Sequence, residues 1–193
     1  MTQTEVSYTN PYDYQVVQVY DAEDEVLDAL AEVQRFSNVS KRLERGQSLG
    51  HKYSLTNTET RRFIRYICKE YKCPIPRMRL GSNRRSVPRG MFASAGGGAI
   101  TLPRWAKKPL IICHEMAHYI VDLHSGRKKG HNALFCAVYI DIVTRFLTGY
   151  VATSLEATMN EHKIDIDFDS LRHLLHETHI PLSRGRLPKI LRI

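Results

Sequence analysis

The run His114-Glu115-Met116-Ala117-His118 carries the most pointed chemistry in the chain. It lies among Leu110, Ile111, Cys113, Ile120 and Val121, behind Pro109, a residue suited to a first helical turn. That setting predicts a helix, and residues four apart on a helix share one face. His114 and His118 can then present two imidazole nitrogens to one metal ion, with Glu115 beside it as a base for metal-bound water. A buried helix carrying two histidines and a glutamate is expensive unless those groups are paired, and metal ligation explains the expense. The motif therefore points to a zinc-dependent hydrolase.

A catalytic zinc usually has three protein ligands and an open position. Two histidines downstream are candidates, and a distant acidic residue is a third possibility. His124 has the spacing of the metzincin pattern HExxHxxGxxH, but Val121 stands where that pattern has glycine. A β-branched residue resists the sharp turn, so the helix is expected to continue and carry His124 away. His131 is better placed. It follows the polar, glycine-bounded loop 125–130 and opens a second apolar helical pattern, His131 to Leu147. A short connection between packed helices brings it back to the metal.

HEMAH, a glycine-bounded loop, Gly130-His131, and Phe135 four residues on together resemble the SprT-like zincins. A closer likeness is to a group of small actinobacterial and phage metallohydrolases, through Gln18-Val19-Tyr20-Asp21-Ala22-Glu23-Asp24 and through Trp105 ahead of the motif. The resemblance spans roughly residues 14–167. It implies an α+β, zincin-like (minigluzincin or SprT-like) domain, a small sheet packed on helices with a metal-binding active-site helix. It also implies His114, His118 and His131 as Zn2+ ligands and Glu115 as general base, and it supplies no substrate. Asn132 departs from it, since SprT-like proteins often have glycine there.

The elements around the motif follow from pattern. Residues 1–13 read as a flexible tail. Val16, Val17 and Val19 suggest a strand over Gln15–Tyr20, followed by a long helix over 21–45 that begins with acids. A second helix is expected over 58–72, with Thr58 as its cap and Pro74 and Pro76 beyond its end. Met78–Leu80 reads as a strand. Gly90–Ser94 and Ala99–Leu102 read as a hairpin across Ala95-Gly96-Gly97-Gly98. In zincins a strand just before the metal helix lines the cleft, and an extended peptide can pair with such an edge.

The 193 residues suit one domain with a small appendage, and no run of eighteen apolar residues predicts a membrane span. The start has neither a basic nor an apolar signal-peptide region. Cys68, Cys73, Cys113 and Cys136 match no four-cysteine zinc spacing. Cys113 and Cys136 suit buried packing between the two metal-bearing helices. A reducing cytoplasm is the simplest compartment.

Charge is segregated. Residues 1–34 hold eight acids and no Lys or Arg, whereas 77–108 hold eight Lys or Arg and no acid. A basic stretch leading into the motif favours a polyanion such as duplex DNA; a solvated basic loop is the plainer reading. The segment 168–193 is basic. Its Ser183-Arg184-Gly185-Arg186-Leu187-Pro188, after a short helix over Asp169–His176, resembles the Arg-Gly-Arg DNA-binding segment of the mycobacterial H-NS-like silencer. That likeness implies Arg184, Gly185 and Arg186 entering an AT-rich minor groove.

Three functions follow as expectations. The first is a metalloprotease acting on a protein or peptide substrate, SprT-like and associated with DNA. The second is a DNA-binding regulatory protein with a mainly structural metal. The third is a hydrolase of cell-wall peptides. Glu115 favours the first, since a structural site needs no carboxylate at an open position. Tyr119, Arg127 and His124 are the oxyanion donors within reach of the motif.

Overall fold

A computed structural model of the chain describes residues 18–26, 55–81, 94–125, 130–147 and 149–178. Residues 18–26 are helical (α1), which corrects the strand expected up to Tyr20. Val19, Ala22, Glu23 and Val26 recur at helical spacing, and all four are buried. Burying that face outweighs the strand preference of valine. Val16, Val17, the remainder of the helix expected to 45 and the tail 1–13 lie outside the described residues.

α2 covers Asn57–Glu70. Its cap is Thr56 and not Thr58: the Thr56 hydroxyl accepts from Glu59 N, and the Glu59 carboxylate accepts from Thr56 N at 2.8 Å. This reciprocal capping box pairs two backbone donors that a helix start leaves over. Phe63, Ile64, Ile67 and Cys68 form the buried face of α2.

Three strands follow: β1 (Arg77–Leu80), β2 (Ser94–Gly96) and β3 (Ala99–Leu102). β2 and β3 pair antiparallel across Gly97-Gly98, whose φ angles of +57° and +71° are those of a tight two-residue hairpin turn. The turn is thus shorter than the four residues expected, and 90–93 lie outside the described residues. β1 pairs parallel with β3, giving the order β1-β3-β2. β3, the strand just before the helix that bears His114 and His118, is therefore central, not an edge.

After a 3-10 turn at Arg104–Ala106, α3 covers Pro109–Ser125. The buried Lys107 fixes this entry. Its Nζ donates to Asn57 Oδ1 at 2.9 Å and to the Gly81 carbonyl at 3.2 Å, while its own carbonyl accepts from Leu55 N. Gly81 has no room for a side chain there, since a Cβ would lie 2.9 Å from Arg104 N. The sheet, α2 and the start of α3 are thereby held in register.

α4 covers Ala133–Phe146, α5 Gly149–Glu161 and α6 Phe168–Glu177. α3 and α4 are at the centre of one α+β core, where Ile112, Met116, Ile120, Phe135, Tyr139 and Ile142 are almost wholly buried. Cys113 and Cys136 are buried in it as expected. Leu171, Leu174 and Leu175 of α6 join the same core. Deep in it, Tyr71 donates to Asp141, which also accepts from Arg145 Nε at 2.7 Å, so the buried charges are paired. Among the described residues no helix is long and apolar enough to cross a membrane.

Thr56→Ala is expected to cost about 1 kcal/mol at neutral pH. The Thr56 hydrogen bonds hold the Glu59 carboxyl below its ordinary value. Its contribution is present above the unfolded pKa and is lost as pH falls through the folded one. Urea unfolding should therefore show the gap between wild type and variant narrowing in acid; a gap independent of pH would exclude Glu59 from the cap.

Candidate metal centre

α3 and α4 bring three histidines to one point. His131 Nε2 lies 3.0 Å from His114 Nε2 and 3.2 Å from His118 Nε2. His114 and His118 share a face of α3, one turn apart. Gly130, at φ +59°, turns the chain so that His131 arrives just ahead of α4. Asn132 then caps α4, its side chain accepting from Phe135 N at 2.8 Å. Asparagine at this position thus starts the helix that directly follows the third histidine. His124 is exposed near the end of α3 and takes no part in the cluster.

A single proton can bridge one pair of these nitrogens but not all three. A cation at their centre satisfies every lone pair. Tetrahedral zinc with bonds of about 2.0–2.1 Å sets its nitrogen ligands about 3.3 Å apart, close to the observed separations. Burial, then the charge of His114, holds the His118 pKa down to about 3. Burial, then His114 and His118, holds His131 down to about 2. Both rings are therefore neutral at ordinary pH, the form that ligates metal.

Burial alone would also discourage a charge on His114, but Glu23 outweighs it, and the pKa is raised. Glu23 is the residue that sequence reasoning missed. It reaches in from α1, buried, with Oε2 3.3 Å from His114 Nδ1 and Oε1 accepting from the Tyr139 hydroxyl at 2.8 Å. A carboxylate behind a histidine favours the tautomer with a proton on Nδ1, leaving Nε2 free for metal. The 3.3 Å approach falls short of hydrogen-bond alignment, so among the described residues His114 Nδ1 meets Glu23 as an ion pair. The sequence signal was an acid at helical spacing from Val19, Ala22 and Val26, a place where an apolar residue is normal.

Aromatic rings close the surroundings. Phe135 stacks on His118 with centroids 4.3 Å apart and meets His114 and His131 edge-on. Tyr20, from α1, stacks on His114 at 5.4 Å and meets His131 edge-on at 5.0 Å while staying 47 % exposed. It is a rim between the cluster and solvent. Burial, then the charges of Glu115 and Glu23, raises its phenol pKa.

Glu115 is buried beside the triad, and its Oε2 has no hydrogen-bond partner among the described residues. Burial pushes its carboxyl up to about 7; His114 lowers it and Glu23 raises it further. Such a group exchanges a proton readily near neutral pH. Of the oxyanion donors expected from sequence, Tyr119 is committed elsewhere: its hydroxyl donates to the Pro74 carbonyl at 2.9 Å. Arg127, Arg184, Gly185 and Arg186 lie outside the described residues.

Comparison with protein-family models, with curated proteins and with solved structures yields no match.

Glu23→Gln is expected to weaken zinc binding by about 10- to 100-fold without unfolding the protein. Competition with a chromogenic chelator measures this directly. Unchanged affinity would remove Glu23 from the metal-positioning role.

Proposed function

We propose that the chain is a zinc metallopeptidase of the SprT-like, zincin-like kind, hydrolysing peptide bonds. The observation that carries this reading is the convergence of three imidazole nitrogens beside a buried carboxylate with an oxygen unpaired among the described residues. His114, His118 and His131 would hold the ion. Zinc so held supplies Lewis acidity, making water a stronger acid and a carbonyl a better electrophile.

The remaining work belongs to the chain's own side chains. Glu115, with its carboxyl near neutrality, takes a proton from the attacking water and delivers it to the leaving nitrogen. Glu23 keeps His114 in the ligating tautomer. Phe135 packs against all three rings and excludes water from behind them. Tyr20 is the described residue best placed to donate to a developing oxyanion, because it borders both the triad and solvent. A purely structural metal site gives no reason for a buried, unpaired Glu115 or an exposed rim, which favours catalysis over a structural metal.

Elemental analysis and a peptidase assay test the reading together. The wild type should hold about one zinc per chain. His131→Ala should lose it, and His124→Ala should keep it. Glu115→Gln should keep both zinc and fold while activity falls by roughly 10² or more. Equal activity in wild type and Glu115→Gln would assign the hydrolysis to another base or a contaminant.

Duplex DNA is proposed as the setting for the substrate. The support is the segregation of charge in the sequence, together with exposed Arg77, Arg79 and Arg104 on and after the sheet. Binding should weaken steeply with salt, as phosphate contacts release counterions. Arg184→Ala combined with Arg186→Ala should reduce the preference for AT-rich duplexes more than overall affinity. Fluorescence anisotropy at two salt concentrations measures both, and absence of binding at low salt would leave a peptidase without a DNA partner.

A further inference from the structure

α2 ends in a backbone motif that sets two thiols against each other. Beyond Glu70 the chain turns through Lys72 at φ +47°, a conformation uncommon outside glycine. Cys73 N donates to the Cys68 carbonyl at 3.0 Å, and Lys72 N to the Lys69 carbonyl at 3.4 Å. These are the paired 6→1 and 5→2 bonds of a Schellman ending, which brings the side chains of its outer positions together. Apolar residues usually meet there; in this chain they are Cys68 and Cys73. A direct backbone bond between the two residues also keeps their Cα atoms close, as a disulfide's span of roughly 4.4–6.8 Å requires.

The two thiols are unequal. Cys68 is buried, whereas Cys73 is partly open to solvent. The neighbouring Cys68 thiol lowers the Cys73 pKa, while Cys73 and burial raise that of Cys68. An accessible thiol with a buried second thiol held beside it by the backbone turn is the arrangement of a nucleophilic and a resolving cysteine. Cys113 and Cys136 are both buried in the core and lack such access.

We propose that Cys68 and Cys73 form a reversible thiol–disulfide site whose oxidant is a low-molecular-weight disulfide such as oxidised glutathione. The Cys73 thiolate attacks one sulfur of the oxidant, forms a mixed disulfide and expels one glutathione thiolate, which takes up the proton that Cys73 released. Cys68 then gives up its proton and attacks the Cys73 sulfur. The mixed disulfide breaks, and the second glutathione thiolate leaves and is protonated. The two cysteines lose two electrons and two protons, and the oxidant becomes two glutathione thiols. The site adjoins the metal helix: Pro74 follows Cys73, and its carbonyl accepts from Tyr119, the neighbour of His118. The proposal does not depend on the metal reading.

The test uses the full-length protein, reduced and then equilibrated in glutathione buffers of rising oxidised-to-reduced ratio. Remaining thiols are alkylated, and peptides are mapped without reductant. The expected result is a Cys68–Cys73 bridge that grows with the ratio and disappears with dithiothreitol, while Cys113 and Cys136 react only after denaturation. Cys68→Ser should accumulate a mixed disulfide on Cys73. Absence of the bridge in the wild type at the most oxidising ratio overturns the proposal, as does preferential modification of Cys113 or Cys136. The wild-type map decides the matter alone if the variant does not fold.

Discussion

Everything around α3 and α4 serves one constraint: three imidazole rings must meet at a point inside a packed core. Imidazoles left with unpaired nitrogens there are unfavourable, each unsatisfied buried group costing about 1–3 kcal/mol. His131 Nδ1 and Glu115 Oε2 are buried without hydrogen-bond partners among the described residues even so. The chain accepts that cost where two helices, a glycine turn and a carboxylate from a third helix converge. Such concentration of unpaired polar groups is what a site for a cation and a reacting molecule requires, and a core built only for stability avoids it.

The supports of the site come from distant parts of the chain. Glu23 and Tyr20 arrive on α1, which is tied to the turn after α5 by Gln18 Nε2 donating to the His162 carbonyl at 2.7 Å. Lys107 joins the end of β1, the start of α2 and the entry to α3. Further along α4, Asp141 and Arg145 anchor the helix to Tyr71 at the end of α2. The helix carrying His114 and His118 and the helix following His131 are thus each fixed by buried polar contacts as well as by the apolar core. Small displacements of either would open the triad, since its nitrogens lie at near-contact distances.

How much of this was legible depended on whether a signal was local. The helix bearing His114 and His118 could be read because Pro109, the apolar run and the HExxH spacing all fall within one stretch of chain. His131 over His124 could be read from Val121, which has no easy turn conformation. The hairpin followed from its glycines. The Thr56 cap is also local, since Thr56-x-x-Glu59 is a capping-box pattern, but Thr58 competes with it as a threonine two residues on. Up to Tyr20 the sequence suggests a strand because three valines mimic alternation, whereas burial of Val19, Ala22 and Val26 against the rest of the fold decides for helix. Glu23 was illegible as a partner of the site: its contact with Tyr139 joins positions 116 residues apart. The central place of β3 was hidden for the same reason, because parallel pairing with β1 is non-local. The dithiol at the end of α2 falls between these cases, since its spacing is local but its meaning depends on the turn at Lys72.

The most direct test of the central claim is zinc-edge X-ray absorption of the full-length protein loaded with one equivalent of zinc. Three imidazole ligands in a tetrahedral site should give a first shell of nitrogen and oxygen near 2.0–2.1 Å with strong imidazole multiple scattering, and no sulfur contribution near 2.3 Å. A first shell containing sulfur, or an all-oxygen shell without imidazole scattering, would contradict the account, because the ion would then be held somewhere other than among His114, His118 and His131.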